Sequence, residues 1–64
     1  MIEVRPAGGG GWETFESLAE AAAAHPCPMD APDGKAMFVA REKGSNRPLG
    51  QLVRRGLFGW RWER

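Results

Sequence analysis

Short runs of alternating hydrophobic and polar residues predict that most of this chain forms strands. Ile2 and Val4 alternate with charged residues, the pattern of a half-buried strand that ends at Pro6. Residues 36–41 and 49–55 have the apolar and β-branched content of two further strands. Between them lies a polar stretch of hairpin length that contains glycine and proline, so these two strands are predicted to be antiparallel neighbours.

The C-terminal segment combines aromatic and basic side chains and predicts a last strand over residues 57–63. In that strand Phe58, Trp60 and Trp62 would share one face, with Arg61 on the other. The indole rings could stack on bases or hold a protein partner, or they could pack in the core of a small domain. Three large aromatic residues at alternating positions more often form a core. We therefore expect the rings to pack inside the domain and the arginines to contact a partner.

One helix is predicted after the first strand. Ser17 and Glu20 have the spacing of a capping box, and the alanines of residues 21–24 are strong helix formers. Pro26 ends the helix, and a proline-rich loop leads to the turn signal Asp33-Gly34. The apolar stripe of this helix is thin, which would let it lie close to a sheet.

These elements predict an α+β fold for a single domain over residues 1–64. The expected architecture is a three- to four-stranded, mostly antiparallel sheet with one short helix packed on one face. The glycine run at residues 8–11 is expected to be a flexible turn that leads into a short extended piece at residues 12–15. The other face of the sheet would be uncovered.

Size and cysteine content limit how this fold is stabilised. A chain of 64 residues buries only about 60% of the surface that it exposes when unfolded, so its core is small. Cys27 is the lone cysteine, so the chain cannot form an intramolecular disulfide. This favours stabilisation by self-association or by docking on a larger molecule. The free thiol and the lack of a long apolar stretch predict a cytoplasmic protein without a membrane partner.

Charge is divided unevenly along the chain, although the formal net charge is only +1. Residues 1–34 carry one basic and six acidic side chains, whereas residues 35–64 carry eight basic and two acidic ones. A basic surface steers an acidic partner toward it. Alternatively, the two halves face each other and neutralise their charges.

The sequence offers only weak signals for a catalytic or metal site. His25 and Cys27, with two aspartates downstream, match no established zinc spacing, and the neighbouring prolines restrict the loop. A Cys/His nucleophilic pair would also need an orienting group and a pocket that so short a chain can hardly build. We therefore predict a protein that is not an enzyme and has no cofactor and no metal.

The predicted function is that of a small binding module, regulatory or inhibitory in effect. It would dock on an acidic surface of a larger protein through a basic C-terminal sheet or hairpin, or its terminal strand would add to the sheet of another protein. The alternative is a nucleic-acid-binding module in which Arg and Lys contact phosphates and tryptophans stack on bases. The candidate binding residues, common to both hypotheses, are Arg41, Lys43, Arg47, Arg54, Arg55, Trp60, Arg61, Trp62 and Arg64.

Overall fold

The chain folds into five strands, one α-helix and one short 3-10 helix. The computed structural model describes the backbone of residues 1–64 and every side chain except that of Phe58. The elements are β1 (Ile2–Pro6), β2 (Glu13–Phe15), α1 (Leu18–Ala24), β3 (Ala36–Glu42), β4 (Pro48–Arg54), a 3-10 helix (Gly56–Phe58) and β5 (Trp60–Glu63).

All five strands form one antiparallel sheet in the order β2-β1-β3-β4-β5. The α+β class is confirmed, but the predicted count of three to four strands was too low. The difference arises because β2, which has only three residues, completes its hydrogen bonds on β1, while β5 pairs along four residues with β4. So short a strand has little periodicity of its own and is stabilised by its neighbour.

The glycine run makes the β1–β2 hairpin possible. Gly9 and Gly10 have φ angles of 112° and 120°, a region that side-chain-bearing residues rarely adopt. The amide of Gly9 donates to the carbonyl of Pro6 at 3.0 Å and closes the turn where β1 ends. Ile2 thereby comes opposite Phe15 on the same face of the sheet.

The predicted helix is confirmed together with its start. The Ser17 side chain accepts a hydrogen bond from the Glu20 amide at 3.1 Å, and α1 ends at Ala24 with His25 as its C-cap. Ala21 is fully buried, so the small side chain lets the helix approach the sheet closely. No helix in the described chain is long and apolar enough to cross a membrane.

The core lies between α1 and one face of the sheet. Its buried cluster joins Ala21 of the helix to side chains that cross-strand pairing places on one side of the sheet. Leu52 of β4 has no exposed surface and is the largest of the completely enclosed side chains. The cluster consists of Ile2, Val4, Phe15, Ala21 and Ala40, with Leu18, Phe38, Leu49 and Trp62 packed against it.

The C-terminal segment differs from the predicted strand over residues 57–63. Gly56 and Gly59 have φ angles of 63° and 84° and bracket a 3-10 helix, so β5 begins only at Trp60. Leu57 is 96% exposed in this turn and does not belong to a strand face. The predicted position of the Phe58 ring falls outside the described side chains.

Candidate interaction surface

In the part of the chain that the structure describes, α1 packs on one face of the sheet and no α-helix covers the opposite face. In an antiparallel sheet, directly opposed residues project to the same side, and the pairing register therefore defines this surface. We call it the open face. Its strand residues are Glu3, Arg5, Thr14, Val39, Arg41, Gln51, Val53, Arg61 and Glu63.

A tryptophan lies on the open face between the first two strands. The guanidinium carbon of Arg41 is 3.8 Å from the centre of the Trp12 ring, and that of Arg5 is 4.7 Å away. Both distances are within the range of cation–π attraction, which is strongest for tryptophan. Trp12 is half-buried, so part of the ring remains accessible beside two positive charges.

Arg41 is held by three different partners. Its Nε donates to Glu3 Oε1 at 3.1 Å and its Nη1 donates to Asn46 Oδ1 at 3.2 Å, while the ring of Trp12 lies against its guanidinium. Glu3 and Arg41 are directly opposed on β1 and β3, which explains the ion pair. Because these contacts restrict its rotamers, the Arg41 side chain is preorganised.

Arg5 is less completely satisfied. No ion-pair partner for Arg5 is found within the described part of the chain, and its Nε is enclosed without a hydrogen-bond acceptor there. The ring of Trp12 is the contact that positions this guanidinium. Arg5 therefore contributes a positive charge that no acidic side chain described in the structure neutralises at short range.

Glu63 joins two arginines at the other side of the open face. Arg55 donates to both carboxylate oxygens, at 2.7 and 2.8 Å, and Arg61 Nε donates to Oε2 at 3.1 Å. These hydrogen bonds, from Arg55 first and Arg61 second, lower the pKa of Glu63 to about 2. The same hydrogen bond raises the pKa of Arg55. One acid thus serves two bases, and the cluster retains a positive charge.

Acid should weaken this cluster measurably. Because the pKa of Glu63 lies below its usual value of 4.5 in the folded chain, the carboxylate stabilises the fold above pH 4.5 and this contribution is lost as the pH falls toward 2. In Glu63→Gln we expect a smaller loss of thermal stability over that pH range than in the wild type. Thermal melts followed by circular dichroism from neutral pH to pH 2 measure it.

The matched control is Glu16→Gln, which removes an exposed carboxylate that makes no ion pair among the described side chains. Glu16→Gln should follow the wild-type pH profile more closely than Glu63→Gln does. Identical profiles for wild type and Glu63→Gln would show that the Glu63 cluster does not contribute to stability.

Trp60 and Trp62 face the helix rather than the open face. The Trp62 indole N–H donates to the carbonyl of Leu18 at 2.7 Å, and that of Trp60 donates to the carbonyl of His25 at 2.8 Å. The ring of Trp60 also meets Phe38 edge to face at 5.5 Å. The two tryptophans are half-buried and tie β5 to both ends of α1.

Arg54 is turned toward the backbone of the loop that precedes β3. Its Nη1 donates to the carbonyls of Met29 and Ala31 at 2.8 and 2.7 Å, and its Nε donates to Gly56 at 3.1 Å. The two charge-assisted hydrogen bonds to Met29 and Ala31 hold the proline-rich loop against β4. Within the chain, Arg54 therefore has a structural role.

The remaining predicted basic residues lie around the β3–β4 hairpin and the end of β5. Lys43 and Arg47 are exposed in the hairpin, and Arg47 approaches Glu42 only to 4.0 Å. Arg64 borders a shallow apolar groove of about 310 Å³ that is also lined by Val39 and Leu49. Of the predicted binding residues, the register and ion pairs bring Arg41, Arg55 and Arg61 to the open face, with Lys43 and Arg47 at the adjoining hairpin.

His25 and Cys27 each have a contact other than a metal site in the described structure. His25 Nε2 lies 3.0 Å from Glu13 Oε1, and its ring packs between Phe15 and Phe38. The thiol of Cys27 donates to the Pro28 carbonyl at 3.5 Å. Among the side chains that the structure describes, no group of three His, Cys, Asp or Glu residues is positioned to hold a metal ion.

Arg5 and Trp12 are members of the open face that were absent from the predicted binding residues. The signal for Arg5 was present, because it alternates with the buried Ile2 and Val4 and must project to the opposite side. Trp12 precedes β2 directly after the glycine turn, where no periodicity indicates a direction. Its position is a consequence of the hairpin that returns it beside β1.

Comparison of the chain with protein-family models, with curated proteins and with solved structures finds no match.

Proposed function

We propose that this protein is a small non-enzymatic binding module that docks its open face on an acidic surface of a larger protein. The observation that carries the proposal is the pairing of charges on that face. Both acidic residues there, Glu3 and Glu63, are bound to arginines of the same face, so excess positive charge remains. Such a surface attracts acidic partners and repels basic ones.

Several acidic residues of the chain lie outside the open face. Glu16 and Glu20 lie at the start of α1, and Asp30 lies in the loop before β3; all three are exposed. Asp33 of the same loop accepts a hydrogen bond from the Gly56 amide and lies beside Arg55. This segregation supports the proposal, because a molecule with a basic and an acidic side is oriented by the field of a charged partner before contact.

The chemical composition of the open face suits a protein interface. Trp12 and Val39 are half-buried and provide apolar contact area, while Arg5, Arg41 and Arg61 provide directed hydrogen bonds. Tryptophan and arginine are the residue types that most often carry the binding energy of protein interfaces. The contacts of Arg41 with Glu3 and Asn46 reduce the entropy that would be lost on binding.

Base stacking has less support in the geometry. Guanidinium groups already lie over the ring of Trp12. The indoles of Trp60 and Trp62 donate hydrogen bonds to the carbonyls of His25 and Leu18 at the two ends of α1. A module that holds single-stranded nucleic acid by stacking needs free ring faces for the bases. A protein partner with carboxylates requires no such ring face.

The proposal predicts salt-sensitive binding to a polyacidic probe. Poly-L-glutamate titrated into the protein should change the tryptophan fluorescence, and its affinity should fall as salt is raised. Arg5→Gln should raise the dissociation constant about threefold to tenfold, since the charge that it removes has no ion-pair partner among the described side chains. Lys35→Gln, which removes one charge outside the open face, is the control and should change it less.

Single-stranded and duplex DNA in the same titration distinguish the alternative. Tighter binding to DNA than to poly-L-glutamate at equal salt would contradict the proposal and favour nucleic-acid recognition. Binding that Arg5→Gln and Lys35→Gln weaken equally would show that net charge, and not the open face, is responsible. Absence of binding to poly-L-glutamate at low salt would also contradict it.

A further inference from the structure

β5 forms one edge of the sheet. In the described chain, no strand pairs with the side of β5 that faces away from β4. An edge strand of this kind presents a row of backbone N–H and C=O groups that another strand can pair with. The opposite edge, β2, has only three residues.

The hydrogen-bonding pattern shows which groups of β5 point outward. The amide of Arg55 donates to the carbonyl of Gly59 at 3.0 Å, and these residues continue the register in which Val53 opposes Arg61. Hydrogen-bonded pairs alternate along an antiparallel ladder, so Arg61 and Glu63 bond to β4. The backbone groups of Trp60, Trp62 and Arg64 then project to the outer edge.

The position of the Glu63 carbonyl agrees with this pattern. A Cβ atom placed on Gly50 of β4 would lie 2.9 Å from the Glu63 carbonyl oxygen, which therefore points toward β4. The outward N–H and C=O groups belong to Trp60 and Trp62, whose side chains lie on the helix side of the sheet, and to Arg64, which directly follows β5. The edge is thus open at every second residue.

We propose that β5 pairs antiparallel with β5 of a second copy of this chain, centred on Trp62. In that register the outward groups of Trp62 bond to those of Trp62 in the second copy, and Trp60 opposes Arg64 twice by symmetry. Two five-stranded sheets would join into one sheet of ten strands. This interface uses the backbone edge of β5, and of the open-face side chains it engages Arg61 and Glu63.

Charge complementarity selects a second copy as the occupant. In the register centred on Trp62, Arg61 of each copy lies directly opposite Glu63 of the other, in the non-hydrogen-bonded position where side chains are closest. Only the Nε of Arg61 is used within the chain among the described hydrogen bonds, so its terminal nitrogens can reach that carboxylate. The symmetric interface therefore contains two opposite-charge pairs.

Neighbouring registers are unfavourable. A pairing centred on Arg61 would place two arginines opposite each other, and one centred on Glu63 would place two carboxylates together. Both registers pair the same outward backbone groups of β5 as the register centred on Trp62, so the like charges that face each other are what disfavours them. Of these three registers, the one centred on Trp62 alone places opposite charges together, so the charges of β5 favour that self-pairing.

Charge reversal across the edge tests the proposal. Sedimentation equilibrium over about three orders of magnitude in protein concentration should show a monomer–dimer equilibrium for the wild type. Arg61→Glu places Glu opposite Glu63 at both symmetric positions, and Glu63→Arg places Arg opposite Arg61. Each variant alone should raise the dimer dissociation constant about tenfold or more.

An equimolar mixture of Arg61→Glu and Glu63→Arg should recover dimerisation, because each reversed charge then meets its opposite in the other chain. Arg47→Glu, in the β3–β4 hairpin, is the charge-reversal control and should dimerise as the wild type does. Circular dichroism checks that every variant is folded. If a variant fails to fold, a synthetic chain N-methylated at the Trp62 amide blocks the outer edge without changing a side chain and should be monomeric.

Three results would overturn the inference. The wild type could remain monomeric at every concentration, which would exclude self-pairing of β5. The dimer could persist unchanged in Arg61→Glu or in the N-methylated chain, which would place the interface elsewhere. The mixture could associate no better than the separate variants, which would exclude the Arg61–Glu63 pairing.

Discussion

Replacing Leu52 by alanine is expected to lower the free energy of unfolding by about 2–5 kcal/mol. Leu52 has no exposed surface and lies on β4, opposite Phe38 of β3 and Trp62 of β5. Its removal would take apolar atoms from the centre of the sheet and leave a cavity that three strands would have to close. For a chain of 64 residues this loss is comparable with the whole expected stability, roughly 3–10 kcal/mol.

Urea unfolding followed by circular dichroism measures this effect. In Leu52→Ala we expect a transition shifted to much lower urea, or a chain already largely unfolded in water. Leu57→Ala is the matched control, because it deletes the same atoms from a side chain that is 96% exposed. It should change the stability by less than about 0.5 kcal/mol. Equal effects of the two substitutions would mean that Leu52 is not part of the core.

Replacing Gly50 by alanine is expected to destabilise the protein by about 1–3 kcal/mol. The new Cβ would lie 2.9 Å from the Glu63 carbonyl oxygen and 3.6 Å from its carbon, so β4 and β5 would have to separate locally. The obstacle is a backbone atom, which cannot rotate away as a flexible side chain can. We expect the strain to disturb the Arg55–Glu63 ion pair as well, since both residues belong to this hairpin.

Gly8→Ala provides the control for Gly50→Ala. No atom lies within 4 Å of a Cβ placed on Gly8, and its φ angle is not in the left-handed region. Because alanine restricts the unfolded chain, Gly8→Ala should be neutral or stabilise the protein by about 0.4–1 kcal/mol. Urea unfolding of both variants compares them, and a Gly50→Ala protein as stable as Gly8→Ala would contradict the close approach of β4 and β5.

Local signals predicted those parts of the fold that depend on neighbouring residues. Ser17 and Glu20 marked the start of α1 because a cap is satisfied within one turn of helix. The hairpin between β3 and β4 followed from its length and turn residues for the same reason. The last strand was predicted too long, since Leu57 and Phe58 continue the alternation although Gly56 and Gly59 turn the backbone into a 3-10 helix.

The candidate interaction surface could be predicted only in part from local patterns. The aromatic and basic C-terminal segment indicated a binding region, and the charge asymmetry indicated an acidic partner. Alternation also separated Trp60 and Trp62 from Arg61, as the structure confirms. It gave no indication that Arg54 would clamp the proline-rich loop or that Trp12 would lie between Arg5 and Arg41, because those partners are distant along the chain.

The α+β class, the position of the helix and the side of β5 on which the tryptophans lie could therefore be predicted from local patterns, because each depends on periodicity or on contacts within a few residues. The five-strand order, the assembly of the open face from all five strands and the edge position of β5 became clear from the tertiary structure. These features depend on which strands pair and in which register. That choice is made by burial of Leu52 and the core around it, through contacts between residues far apart in the chain.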